Sequence, residues 1–590
     1  MNSCIDTRHA SSNWHHRALT FAASLLLCVA ASNAGAQNKP GVGDLLNNIA
    51  PSRKNSAEPN QRKTDKLLIQ KNADQAADAV PTEDPATLAM SFEVQGLVLE
   101  GHTVFSTQEL MALLPQAFPG LYTLQQLEAK LSLFTEHYRQ AGYPLVQVHI
   151  PEQVLQNGMV SVRITEPVWG QVLLKNQSQI SDDALRLTAA GIQPGNLVRQ
   201  ADLERTLLLL ADLPGAEVTS ELQAGTQPDT TDLLMIALPA KSLTGASGID
   251  NLGSKYTGRK RATASLIWSN PFRSADIFSV NFLSSGPLLN YQRMGYEWPI
   301  GHPGMHVGVS TAQMQYRLGE GAESLQAHGS LGQQTLWLNY PWLIENRRQF
   351  KTRIQFEYMD PADHQEASNL KTDRQLRILS VSANLENTDN FLANGLNQWN
   401  LEFAHGQTDF TNTVAAANDV ATARTAGRFS KINLRGYRNQ SINSVFSLSL
   451  SMDSQWAQKN LDATQKFSLG GLRSVRAYEA GALSADTGVF SSVELRMLLP
   501  QPDEIWNIQG QWYASVFWDK AVARVNQNPW TDKTNDVFFR GTGLALYWQG
   551  PNQWSATVSI GKSLGSVSPL LNSSDAIHKT AWLELAKAWR

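Results

Sequence analysis

From about residue 242 to its end, the chain alternates apolar and polar side chains with a period of two, and helical spacing disappears. Phe446, Leu448, Leu450 and Met452 face one way, while Ser447, Ser449, Ser451 and Asp453 face the other. Val489, Val493, Leu495, Met497 and Leu499 likewise oppose Ser492, Glu494 and Arg496, and Trp554, Ala556, Val558 and Ile560 oppose Ser555, Thr557 and Ser559. Successive side chains on a strand point to opposite faces, so each stretch describes a strand with one apolar face. A soluble sandwich has the same period. Two features favour a bilayer instead. Of 16 tryptophans only Trp14 and Trp169 precede residue 242, as interfacial aromatic girdles require. The apparent strands are also long enough to cross at a tilt, and about 16 fit, each with its connection taking roughly 22 residues.

The other end of the chain reads as a secretory signal. Arg8, His15, His16 and Arg17 precede an apolar run from Ala18 to Ala31, and Ala34-Gly35-Ala36 supplies small residues for cleavage after Ala36. Both cysteines, Cys4 and Cys28, lie within this segment. The mature chain then has no thiol for catalysis or for a metal, and no mispaired disulfide in an oxidising compartment. With 49 basic and 52 acidic side chains, charge gives no reason to propose nucleic acid as a partner.

Residues 37–90 are polar and irregular, a linker in which Thr64 to Ala77 is the best helix candidate. Order is expected from Phe92. A strand-like run to Phe105 turns at Gly101-His102, and Ser106 with Glu109, then Thr123 with Gln126, form capping boxes opening two helices. In the second, Leu124, Leu127, Leu131, Phe134 and Tyr138 share a face, and strands follow over Leu145 to Ile150 and Met159 to Ile164. The β-α-α-β-β order then repeats: strand Trp169 to Lys175, helix Ser181 to Ala190, helix Gln200 to Leu213 with Leu203, Leu207 and Leu210 inward, and strands Glu217 to Leu222 and Leu233 to Leu238. Neither unit has a glycine-rich phosphate loop or a catalytic cluster, so two tandem binding modules fit better than an enzyme. The sparse histidines show no ligand cluster in the sequence; no catalytic, cofactor or metal residue is nominated.

A long connection precedes the strand starting at Gly488 and contains Leu469-Gly470-Gly471-Leu472-Arg473-Ser474-Val475-Arg476-Ala477-Tyr478. Its glycines permit a tight hairpin. Folded into the lumen, the fixed charge of Arg476 would need a carboxylate. Asp519 has the lumen-facing parity, with Gln511, Tyr513, Ser515 and Phe517, opposite Trp512, Ala514, Val516 and Trp518; Glu494 shares the inward parity of its own strand and stays an alternative partner. Glu479 and Asp486 read as ordinary loop charges.

In these residues the chain resembles the two-partner-secretion transporters of the ShlB/FhaC/HecB type (TpsB) within the POTRA-barrel superfamily. Tyr138-Arg139 with Gly142-Tyr143-Pro144 resembles the first POTRA module, and Asp250-Asn251 with Gly253-Ser254 and Thr257-Gly258 resembles the start of the barrel. Val475-Arg476-Ala477-Tyr478 resembles the signature at the tip of the inward-folded sixth extracellular loop, with Ala477 where the family usually has glycine. Phe517-Trp518-Asp519 resembles the inner-wall motif that meets it.

The resemblance implies a transmembrane β-barrel of about 16 antiparallel strands preceded by two periplasmic α+β POTRA modules. The expected organisation is a signal peptide over 1–36, a linker over 37–90 able to hold a plug helix, modules over 91–166 and 167–241, and a barrel over 242–590 with its inward loop at 460–487. It further implies a secreted adhesin or haemolysin bound unfolded by the modules and exported through the barrel, lipid of the outer membrane around it, and dependence on barrel-assembly machinery. A barrel-assembly insertase of the same superfamily is the alternative, and a passive porin a weaker one because it needs no modules.

Overall fold

The computed structural model describes residues 41–49, 91–500, 508–532, 534–565, 569–571 and 579–589. The cleavage site at Ala36 and the helix candidate Thr64 to Ala77 lie outside these residues. A helix does occur in the linker, but at α1 (Val42–Ile49).

The first module contains β1 (Ser91–Val94), β2 (Gly96–Glu100), α2 (Thr107–Ala112), β3 (Gly120–Thr123), α3 (Leu124–Gln140), β4 (Gln147–His149) and β5 (Met159–Thr165). Its sheet runs β2-β5-β4, with β2 parallel and β4 antiparallel to β5. Both capping boxes form: Ser106 Oγ accepts from the Glu109 N–H and Thr123 Oγ1 from the Gln126 N–H, while the Glu109 and Gln126 side chains accept from the cap N–H groups. Leu127, Leu131, Phe134 and Tyr138, at helical spacing on α3, are buried with Val160, Val162 and Ile164 of the sheet. The run read as one strand divides at Gln95, whose N–H bonds the carbonyl of Gly158, and β1 pairs instead with β3, an element absent from the sequence reading. Four-residue strands are too short to show a period.

The second module repeats the plan with β6 (Val168–Asn176), α4 (Asp182–Thr188), α5 (Gln200–Ala211), β7 (Ala216–Ala224) and β8 (Thr230–Pro239), in sheet order β6-β8-β7. On α5, Leu203, Leu208 and Leu210 are buried, while Leu207 packs only partly buried against the same core. This module is joined to the barrel. The Ser181 N–H donates to the Arg273 carbonyl at 2.7 Å, Arg205 Nη2 donates to the Pro341 carbonyl at 2.7 Å, and Ala275 is buried with Ile180, Leu185, Ala216 and Ala237.

Sixteen antiparallel strands, from Leu243–Asp250 to Lys579–Trp589, form a closed barrel in which the last pairs with the first, Glu584 opposite Asp250 through Trp589 opposite Gly245. Closure leaves no open edge, as a sheet in lipid requires. The outer face is apolar along most strands: Leu336, Ile354, Phe356, Leu379, Val381, Leu401, Phe403, Val516, Leu544, Ile560 and Leu583 are all exposed. So continuous an apolar surface is the lipid-facing side of a membrane barrel. Exposed Trp268, Trp342, Trp399, Trp554 and Trp589 lie at the strand ends nearest the modules. The side chains between them turn inward, where Ser492, Glu494, Ser515, Asp519 and Ser559 are buried.

Candidate functional site: the loop and helix inside the barrel

Residues 458–486 link the strands Phe446–Ala457 and Thr487–Leu498 and fold into the lumen. A two-stranded hairpin, Phe467–Leu469 paired with Leu483–Ala485, forms the stem. Gly470 and Gly471, both at positive φ (94° and 93°), turn the chain away from it; the Gly471 N–H then bonds the Tyr478 carbonyl at 2.9 Å to close the tip. A side chain at either position would strain the turn.

At the tip, Arg476 is 3% exposed and uses all of its guanidinium nitrogens. Nε and Nη2 donate to the two oxygens of Asp519 at 2.9 and 2.8 Å, and the Arg476 backbone N–H donates to the same carboxylate at 3.0 Å. Nη1 donates to Glu494 Oε2 at 2.7 Å and Nη2 to Ser492 Oγ at 2.9 Å. The two carboxylates left as alternatives by sequence therefore both engage Arg476, Asp519 by the larger share. Around them, Arg496 Nε and Tyr547 Oη donate to the other Glu494 oxygen at 2.9 and 2.7 Å. Phe517 lies 3.4 Å below the Arg476 carbon, a cation–π contact. The Arg476 carbonyl accepts from Trp582 Nε1 at 2.7 Å and from the Thr580 hydroxyl.

In this cluster two cations, Arg476 and Arg496, thus balance two anions, Asp519 and Glu494. Such buried networks add little net stability, because desolvation offsets attraction, but they fix one position, since misplacement strands a charge. The neighbouring motif residues complete the fit. Val475 is buried, Tyr478 stacks on Phe539 at 4.1 Å, and Ala477 is fully buried against Gly541. A Cβ on Gly541 would come within 2.5 Å of the Ala477 Cβ, so the wall glycine makes room for the methyl group. Ala477 does not adopt a positive φ, and alanine is unstrained there.

Sequence reasoning missed Ser492, Phe517 as a ring partner, Tyr547, Thr580 and Trp582, which come from four separate strands. Inward parity was their one available signal. Asp486 also corrects the reading as an ordinary loop charge: it is fully buried, pairs with Lys466 at 3.0 Å, and accepts the N–H groups of Leu461 and Gln527. Glu479 faces Arg259 at 3.4 Å.

Helix α1 occupies the lumen beside this loop. Val42, Leu45 and Ile49 pack against inward-facing Leu331, Met359, Leu376 and Phe429 of the wall and Leu461 of the loop. Its first amide, Val42 N–H, donates to Asp363 Oδ1 at 2.8 Å, placing a carboxylate at the positive end of the helix. Asp363 also accepts from Tyr316 and pairs with buried Arg374, whose Nη1 donates to Asp462 of the loop at 2.8 Å. Asn47 Nδ2 bonds the loop carbonyls of Lys466 and Ala463 at 3.0 and 3.3 Å, and Gly43 passes so close to Thr464 that a Cβ would overlap its backbone. Helix, loop and wall are held as one unit.

Residues 229–516 match the family described as haemolysin secretion/activation protein ShlB/FhaC/HecB, and residues 92–167 match the POTRA domain, ShlB-type. The heme/hemopexin transporter protein HuxB of Haemophilus influenzae is 25% identical over 488 residues, covering 82% of this chain and 84% of that one. The outer membrane transporter CdiB of Escherichia coli is 22% identical over 614 residues, covering 98% and 96%. The solved structure of CdiB from Escherichia coli shares the fold with a TM-score of 0.68, at 19% identity over 92% of this chain and 99% of that one. Modules, closed barrel and matched residues agree: the chain belongs to the ShlB/FhaC/HecB family of POTRA-bearing outer-membrane transporters of two-partner secretion.

Proposed function

We propose that this protein captures one secreted exoprotein on its periplasmic modules while that client is unfolded, and passes it through the barrel. The supporting observation is a cavity of about 500 Å³ where α5 meets the barrel. Leu209, Asp212 and Leu213 line it on the module side; Glu297, Arg353 and Glu402 line it on the inner wall. A chain leaving the second module therefore meets a polar lumen without crossing lipid. Extended clients add to open sheet edges by backbone hydrogen bonds, each worth about 1 kcal/mol net, enough to hold a strand and weak enough to release it. No nucleotide is needed if folding of the client outside makes passage one-way.

In this reading Arg476, Asp519 and Glu494 hold the loop in its resting position, with Val475, Ala477 and Tyr478 packing it to the wall, and α1 fills the remaining space until a client arrives. The client is an adhesin or haemolysin, and the chain itself does no bond chemistry. Barrel-assembly machinery and outer-membrane lipid complete the partners. Secretion of the candidate exoprotein is compared in cells with and without the transporter; export that continues at the normal level in the deletion strain overturns the proposal.

A further inference from the structure

His328 and His364 are 36 positions apart, and strand register sets them directly opposite each other, between Ala327–Ile344 and Arg348–Gln365. Their rings lie 5.4 Å apart at 77°. Both project from the outer face of the barrel. Their neighbours Ala327 and Asp363 face the lumen against α1, and direction reverses at each residue. On the same face the apolar band, Ile354 and Phe356, gives way to polar Asp360 before His364 is reached. The pair therefore stands beyond the hydrocarbon, at the extracellular rim.

Glu366, in the turn that follows, brings Oε1 to 3.1 Å from His328 Nε2. One ligand atom from each of His328, His364 and Glu366 lies within 4.8 Å of the others. Asp373 on the next strand places Oδ1 3.0 Å from His364 Nε2, the arrangement in which a carboxylate orients a metal-binding imidazole. We infer that His328, His364 and Glu366, supported by Asp373, form a site for a first-row divalent transition metal of the zinc class on the extracellular rim.

The donor set fits that class: imidazole and carboxylate suit zinc, copper and nickel, whereas magnesium and calcium take oxygen ligands alone. Zinc holds such ligands at about 2.0–2.2 Å, so the three donors must draw together by roughly an ångström, which the exposed Glu366 and the partly exposed histidines can do by rotation. Two carboxylates, Glu366 and Asp373, balance the two exposed cations registered beside the pair, Arg317 opposite His328 and Lys371 opposite His364. A bound ion would tie the upper end of one strand to the next strand and its turn. The inner faces of this region carry Asp363 and Arg374, which hold α1 and the loop. The rim that anchors the plug would be stiffened from outside.

Zinc titration of the full-length protein in detergent, followed calorimetrically, tests this. One zinc per chain is expected, with affinity about tenfold or more weaker in His328→Ala and in His364→Ala, and unchanged in Asp360→Asn, a carboxylate on the same face. Heat-modifiable migration on gels confirms that each variant barrel is assembled. If an alanine variant fails to assemble, Glu366→Gln in the exposed turn must show the same weakening. Absence of stoichiometric zinc binding by the wild type overturns the inference, as does wild-type affinity in assembled His328→Ala/His364→Ala or in Glu366→Gln.

Discussion

Asp519 grips Arg476 twice over, taking two hydrogen bonds from the guanidinium and a third from the backbone N–H of the same residue. One carboxylate thus reads both the identity of the side chain and the path of the main chain. Removing one partner of a buried pair leaves the other uncompensated, at a cost of about 3–5 kcal/mol. Asp519→Ala and Arg476→Ala should therefore release the loop while the barrel still assembles. Cysteines placed across the tip and the wall should lose cross-linking in both variants, and export should fall. Glu494→Gln, which keeps an acceptor for Arg476 Nη1, should do less than Asp519→Ala.

The contact between Ala477 and Gly541 makes a reciprocal prediction. Gly541→Ala puts two methyl carbons 2.5 Å apart, an overpacking that costs about 1–3 kcal/mol. The next atoms met by the new Cβ are at 3.5 Å, so deleting the Ala477 methyl should relieve the clash. Gly541→Ala is expected to weaken loop docking in the cross-linking assay, and the double variant with Ala477→Gly should recover it. Failure of that recovery would mean that the two positions do not share a contact.

Helix α1 lies in the lumen beside the loop, and its anchoring amide depends on Asp363. Deleting residues 41–49 should raise single-channel conductance in planar bilayers. Asp363→Ala should raise it partially, since Asn47 still bonds the loop. Conductance equal to that of the full chain in the deletion would show that the helix does not restrict the pore.

Stability of the first module should depend on Glu166. Its partial burial opposes ionisation, but hydrogen bonds from the Thr103 hydroxyl, the Tyr138 hydroxyl at 2.6 Å, and the Thr103 and Val104 N–H groups outweigh this and hold the carboxyl below its ordinary value. A depressed carboxyl contributes its full stabilisation above the unfolded-state pKa and loses it as pH falls through the folded value. Amide exchange over 91–166 in the intact protein should accelerate as pH drops below the usual carboxylate range, after correction for intrinsic rates. Glu166→Gln should flatten that dependence.

Much of this architecture was legible because local rules suffice for it. Both capping boxes, the Leu127 to Tyr138 face of α3 and the alternation around Phe446 and Trp554 need only neighbours in sequence. Short elements were not legible: β3 and the division at Gln95 offer too few alternations, and α1, although Val42, Leu45, Leu46 and Ile49 share one helical face, spans only about two turns within a polar stretch.

The site divides in the same way. Parity by itself determined that Asp519 and Glu494 look into a lumen, and the glycines before Val475 that a turn precedes Arg476. Strand register and the closure of the barrel decided the rest. Together they brought Glu494, Phe517, Tyr547 and Trp582 to one arginine, buried Asp486, and set His328 against His364. A strand's own sequence specifies which side each residue faces, through the fixed alternation of the backbone. Which residues meet is specified by register and closure, and those depend on every strand at once.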